Sequence, residues 1–279
     1  MWLINKIALM MTAAKDIERK EMMQASANPL SYLKASEYTL SSWAIMDFLQ
    51  LRVLNVLPAA LKAKAKSIPE INPEVMRLVA RLLYMESEIL KTEANSIKMD
   101  YKSIYDSSKQ LYFGLELVSK DLLNLCKDSI LNESVYKPFK EYYGTYGEVL
   151  KTYFLTRHFF AASQLIVVGE NFNGKFPAKL GCADECMEHL ESLEKQLNAV
   201  KKSPYYALLM EVHKFYLEKR MKEMFDVCTA IRAENKLYNL TAAPIMIASN
   251  TFAFPSFSTY QIEDYIAFEN LYNEPKKKK

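Results

Sequence analysis

The side chains best equipped for chemistry are few. The histidines are His158, His189 and His213, and the cysteines are Cys126, Cys182, Cys186 and Cys228. One spacing has the form of a metal site: Cys182-x3-Cys186-x2-His189 puts soft ligands at i, i+4 and i+7, on one face of a helix, where they could converge on zinc. A structural zinc takes a fourth ligand, and no nearby Cys or His supplies one. The cysteines therefore read as small helix-packing residues, and no metal or cofactor is expected. His158 stands beside Arg157 and ahead of an aromatic pair, and His213 follows Val212; both read as partly buried structural histidines. Glu86 and Glu88 fall on different helix faces and so form no acid–base couple. The sequence has no P-loop, nucleophile elbow or HExxH. It reads as a non-enzyme.

The elements that would carry these residues are helical. Among 279 residues there are six glycines, with half the chain hydrophobic and a quarter charged. Gly-rich phosphate loops, Rossmann turns and many-turned sandwiches need glycine at positive φ; a glycine-poor chain rich in Leu, Lys, Glu, Met, Ala and Tyr suits long helices. A net charge of +3 is too small for a nucleic-acid footprint. The dense basic run Lys276, Lys277, Lys278 and Lys279 reads as a solvated tail with, at most, weak contact to an anionic membrane surface. The longest apolar stretch, Phe159 to Gly169, is about half a membrane-crossing helix and is interrupted by Ser163 and Gln164, so no transmembrane segment is expected. Leu3, Ile7, Met10 and Met11 keep helical spacing, which favours a mature helix over a signal peptide. Scattered cysteines fit reduced thiols in the cytoplasm, and the sequons at Asn132 and Asn239 are chance matches there.

Along the chain, a first helix is predicted from Trp2 to Met23 and a second from Leu30 to about Val53. A short piece follows from Pro58 to Ile68-Pro69. Asn72 is then a good N-cap, with Pro73 at the first helical position where its missing N–H costs nothing. The helical pattern from Val75 to Leu131 is too long for one helix and should break near Ala94–Asp100. Another helix carries Phe139 to Val168. Asn173-Gly174 marks a turn over Glu170–Pro177, followed by helices over Ala178–Val200 and Pro204–Tyr238, the latter capped by Ser203. After Asn239 the texture becomes β-branched, aromatic and proline-broken, an extended strap over the helices with a closing helix near Ile262–Tyr272. The expected fold is all-α: an elongated antiparallel helical solenoid or bundle over 1–238, with the strap, closing helix and tail of 239–279 packed on it as one domain. No fixed-period repeat is visible, which argues against a regular tetratricopeptide array.

Several segments, in order, resemble the BRO1 domain family, the helical scaffold of endosomal-sorting adaptors. LINKIALMMTAAKDIER (Leu3–Arg19) is similar to its alanine-rich helix with an asparagine. PEINPEVMRLVARLLYMESE (Pro69–Glu88) resembles its acidic proline turn and the helix ending in an alanine/glutamine/glutamate run; this is the most specific match. AENKLYN (Ala233–Asn239) with Pro244 resembles the end of its last long helix, and DYIAFENLYNEP (Asp264–Pro275) its closing element. The likeness begins after the family's N-terminal β-sheet portion.

The resemblance implies a protein-binding adaptor in ESCRT-linked endosomal or membrane-remodelling traffic. Its partner would be the amphipathic helix of an ESCRT-III-type subunit, docked on an apolar patch of the helix pair after the glutamate run. Carried onto this sequence, the patch falls at Leu90, at Ser103 or Ile104, and at Ser107. Serine in place of a leucine contact would forfeit roughly 1.5–3 kcal/mol of burial there. That departure supports a second expectation, a structural spacer of a cytoskeletal or ciliary assembly. Leu90, Ile97, Ile104 and Leu111 recur at intervals of seven and could form a seam. The partner-binding candidates are therefore Leu90, Ile97, Ile104, Ser107 and Leu111, the competing expectation being that the seam is inner core.

Overall fold

A computed structural model describes residues 2–24, 26–53, 58–60, 72–127, 142–202, 214–249 and 251–256. Ser203, the Pro58 piece beyond residue 60, the closing helix near Ile262–Tyr272 and Lys276–Lys279 lie outside the described residues. The fold is all-α: seven α-helices pack on one another, and no strand occurs among the described residues. They are α1 (Trp2–Met22), α2 (Pro29–Phe48), α3 (Pro73–Ile97), α4 (Tyr101–Lys127), α5 (Gly147–Leu165), α6 (Phe172–Val200) and α7 (Lys214–Tyr238). Single π-helical turns extend α2 over Leu49–Val53 and precede α5 over Tyr142–Tyr146. The main packing runs in chain order, each helix against the one before and the one after, as in a solenoid.

The local signals explain the helix ends. Asn72 Oδ1 accepts the N–H of Glu74 at 2.9 Å, and Pro73 opens α3. Asn28 caps α2 in the same way, accepting from Leu30 at 3.0 Å ahead of Pro29. The anticipated break falls at Lys98–Asp100. Met99 takes φ +55°, and Asp100 then caps α4 through the N–H and hydroxyl of Ser103.

The α3 helix is buried on two sides. Leu78, Met85 and Ile89 join the large core built by α4–α7, where Leu111, Leu115, Val118 and Leu122 form one stripe of α4. Ala80 and Leu83 face Ile7, Met10 and Trp43, while Leu90 and Ala94 face Ala14, Tyr32 and Ala35, all from α1 and α2. Small residues let α2 approach closely, and the Ser87 hydroxyl donates to the Ser36 carbonyl at 3.0 Å.

One expectation is corrected. Asn173-Gly174 is not a turn: α6 already starts at Phe172, with Asn171 accepting from the Gly174 N–H at 3.2 Å and Pro177 inside the helix. Phe172 and Phe176 stack at 4.7 Å, and Phe176 is fully buried, which holds the early turns despite the proline. The actual connection is Ile166–Asn171, with Gly169 at φ +49°.

Beyond α7 the chain has no regular secondary structure over 239–249 and 251–256, the segment where the strap is expected. Its root is fixed by polar contacts. Asn235 binds Leu240 through both its amide groups at 2.9 and 3.0 Å, and the Ala243 N–H donates to the Pro177 carbonyl at 2.9 Å. Gly181 permits this approach, because a Cβ there would overlap the Ala243 carbonyl oxygen and crowd Ile245. Gly181→Ala should therefore destabilise the protein by about 1–3 kcal/mol in denaturant melts, as overpacking does. Gly144→Ala, whose new methyl meets open space, should be neutral or slightly stabilising. Equal effects of the two substitutions would refute the docking role of Gly181.

Candidate functional site

The five candidate anchors do not make one surface stripe. Leu90 is 0 % exposed under α1 and α2, and Ile97 packs half-buried against the same cluster. Ile104 (2 %) and Leu111 (1 %) instead point toward the core on the other side of the α3–α4 turn. The physical reason is the reversal at Lys98–Asp100, which sends the two halves of the seven-residue spacing to different neighbours. Ser107 is half-buried, and its Oγ accepts the Thr92 hydroxyl at 2.9 Å, joining α4 to α3.

Two of the candidates do meet at a cavity. Ser107 and Leu111 line a partly enclosed space of about 410 Å3 with Tyr84 and Met85 of α3 and Phe252 and Pro255 of the strap. Its rim is polar, from Glu88, Gln110 and Thr251. Glu88 is paired with Lys91 at 2.7 Å. The volume lies in the range of small-ligand sites and holds one or two large side chains. Gly114 lies against two of the lining residues: a Cβ there would come within 2.6 Å of Met85 Sδ and 3.1 Å of Phe252 Cε1.

The α3 helix also carries a buried ionic cluster, away from the residues that line this cavity. Glu93, 2 % exposed, accepts from Arg157 at 2.7 Å and Tyr153 at 3.2 Å through one oxygen, and from Arg220 at 3.4 Å through the other. Arg157 also donates to Ser96 and to Tyr153, and Arg220 to Glu223. The cluster ties α3, α5 and α7 together. Burial opposes the charge of Arg157, but Tyr153 and Glu93 more than reverse this and raise its pKa; burial pushes the Tyr153 phenol up. A charged residue inside the apolar run of α5 was the sequence signal for this cluster, but its partners come from far along the chain.

A second buried carboxylate lies on α1. Glu18 is 0 % exposed, and burial pushes its pKa up to about 7, against the pull of Lys15 at 2.9 Å; Glu86, which shares Lys15, pushes it further. Its Oε1 accepts no hydrogen bond from the described residues.

The chemistry-capable residues are dispersed or masked by packing. Burial pushes the Cys182 thiol up to about 11, and Cys186 rises well above the thiol range through its contact with Cys228 and burial, so these are thiols rather than thiolates. His189 stacks on Phe159 and faces Glu185 at 3.8 Å. Burial lowers the pKa of His158, which contacts the Tyr105 carbonyl at 3.0 Å and stacks on the Tyr105 ring. No group of three or more His, Cys, Asp or Glu could hold a metal among the described residues, and none of the described helices is long and apolar enough to cross a membrane. Glu86 turns to Lys15 and Glu88 to Lys91, on separate faces as expected. Compared with protein-family models, curated proteins and solved structures, the chain matches none.

Glu18 generates a pH prediction. Its folded-state pKa exceeds the unfolded value near 4.3, so between these values the folded state holds a proton that the unfolded chain has lost. The resulting stability is fully present below the unfolded value and is lost as pH rises through about 7. Wild type minus Glu18→Gln, measured by urea unfolding, should therefore fall by about 1–3 kcal/mol between pH 5 and pH 8. A flat difference would contradict the assignment.

Proposed function

We propose that this chain is a non-enzymatic, BRO1-like protein-binding scaffold in ESCRT-linked endosomal or membrane-remodelling traffic. It receives the apolar anchor of an amphipathic partner helix between α3 and α4. The observation that carries this reading is the cavity at Ser107 and Leu111, with an apolar floor of Met85 and Leu111, the Tyr84 ring of α3 beside it and a polar rim. Helix-in-groove recognition uses that arrangement: side chains at i, i+3/i+4 and i+7 enter the groove while the rim meets the polar flanks. The cavity adjoins the helix pair that follows the Met85-Glu86-Ser87-Glu88 run, where the sequence resemblance locates partner contacts.

A second reading, the spacer subunit of a cytoskeletal or ciliary assembly, is favoured by a different observation. Leu90 and Ile104 are buried in the core away from the cavity, which leaves a smaller patch than a full helix-binding stripe would use. Gradient sedimentation separates the two. A free pool recruited to membranes supports the scaffold, and co-migration with a large salt-stable assembly supports the spacer.

The direct test titrates a labelled amphipathic peptide, the C-terminal helix of an ESCRT-III-type subunit, into wild type and Ser107→Leu. The leucine extends the apolar floor and should tighten binding about tenfold or more, since burying it contributes roughly 1.5–3 kcal/mol. Binding by neither protein, both being folded, would rule out the groove reading.

A further inference from the structure

The strap does more than border the groove. Phe254 meets Tyr84 edge-on at 6.0 Å, the Arg81 guanidinium lies 4.9 Å from the Phe254 ring centroid, and Phe252 packs edge-on against Phe254 at 4.9 Å. Arg81 is itself held by Asp121 of α4, so Phe254 sits on a fixed cationic platform bridging both helices. Along α3, Arg81, Tyr84 and Glu88 lie on successive turns. Phe254 covers the first of these turns, and the 410 Å3 cavity opens over the next. A partner helix with anchors at i and i+7 needs about 10.5 Å of groove, both turns together. The first is already taken.

The two ends of the strap are held differently. Its root carries the Asn235–Leu240 pair, the Ala243–Pro177 bond and the Gly181 close approach. Its tip is seated by the rings of Phe252 and Phe254, both only half-buried, with Thr251 and Ala253 exposed between and beside them. Thr251, Phe252, Ala253 and Pro255 together form the strap's wall of the cavity.

We infer that the strap tip, Thr251–Pro255, is a built-in occupant of the α3/α4 groove, a Phe-x-Phe-Pro segment that a partner helix must displace while the root stays docked. This rests on the groove reading given under Proposed function and adds its regulation. The groove is closed over one turn at rest, and a partner succeeds only with an aromatic or large aliphatic anchor that replaces Phe254 on Tyr84 and Arg81. An acidic side chain next to that anchor would gain from Arg81. Apparent affinity is then lowered by the fraction of molecules whose tip is lifted.

The experiment uses the full chain and the same ESCRT-III-type helix peptide. Anisotropy titrations compare wild type with Phe252→Ala/Phe254→Ala, and hydrogen exchange by mass spectrometry follows residues 251–256 and 240–247 of wild type with and without peptide. The double variant should bind about tenfold more tightly. In wild type, peptide should raise exchange at 251–256 and leave 240–247 protected. Equal affinity for both proteins, with unchanged or slower exchange at 251–256, would overturn the inference and leave the groove reading standing: the strap would be a fixed wall. No binding to either folded protein would remove the groove reading and the inference with it. If the double variant does not fold, the exchange arm on wild type decides alone.

Discussion

The carboxylate of Glu93 is the constraint on which the rest of the structure depends. It is buried on α3 and met by groups from two other helices, with Arg157 and Tyr153 of α5 on one oxygen and Arg220 of α7 on the other. An unpaired carboxylate could not remain in such a place, because its desolvation cost exceeds the whole stability margin of a domain. Its partners lie on α5 and α7, so rotating any of the three helices away would cost it these contacts. A cluster of this kind adds little net stability over a well-packed apolar one; its contribution is that it rejects other registers.

That rigidity passes to the groove. The α4 helix lies against both α3 and α5, so a fixed α3–α5 relation sets the cavity shape at Met85, Ser107 and Leu111 before any partner arrives. Binding to a preformed groove avoids much of the ordering cost of association. The strap differs along its length, with hydrogen bonds fixing its root and the rings of Phe252 and Phe254 seating its tip beside Tyr84 and Arg81. A rigid floor under a cover that can lift would suit the regulated docking site proposed for this groove. In a spacer, the same cluster would instead keep the solenoid from bending.

Much of this architecture was legible in the sequence. Asn72-Pro73 announced the start of α3, the overlong helical pattern announced the reversal before Tyr101, and the change of texture after Asn239 announced the strap. These signals are local, a cap, a length and a composition, and local signals survive into structure. Asn173-Gly174 misled because its turn tendency was overridden by the stack of Phe172 on the buried Phe176. The seven-residue spacing of Leu90 to Leu111 left a partner seam and an inner core both open, since periodicity identifies an inner face without saying which neighbour it serves. Glu93, Arg157 and Arg220 could be seen as charges in or near apolar surroundings, but their meeting depends on packing between segments far apart in the chain. Neither spacing nor composition encodes that meeting.

The central claim is that the Glu93 cluster sets the helix arrangement, and equilibrium unfolding of Glu93→Ala tests it most directly. Removing the carboxylate leaves the buried Arg157 guanidinium without a counter-charge, and the account predicts a loss of about 3–5 kcal/mol in denaturant unfolding relative to wild type. A change below about 1 kcal/mol, the range of an exposed ion pair, would contradict it.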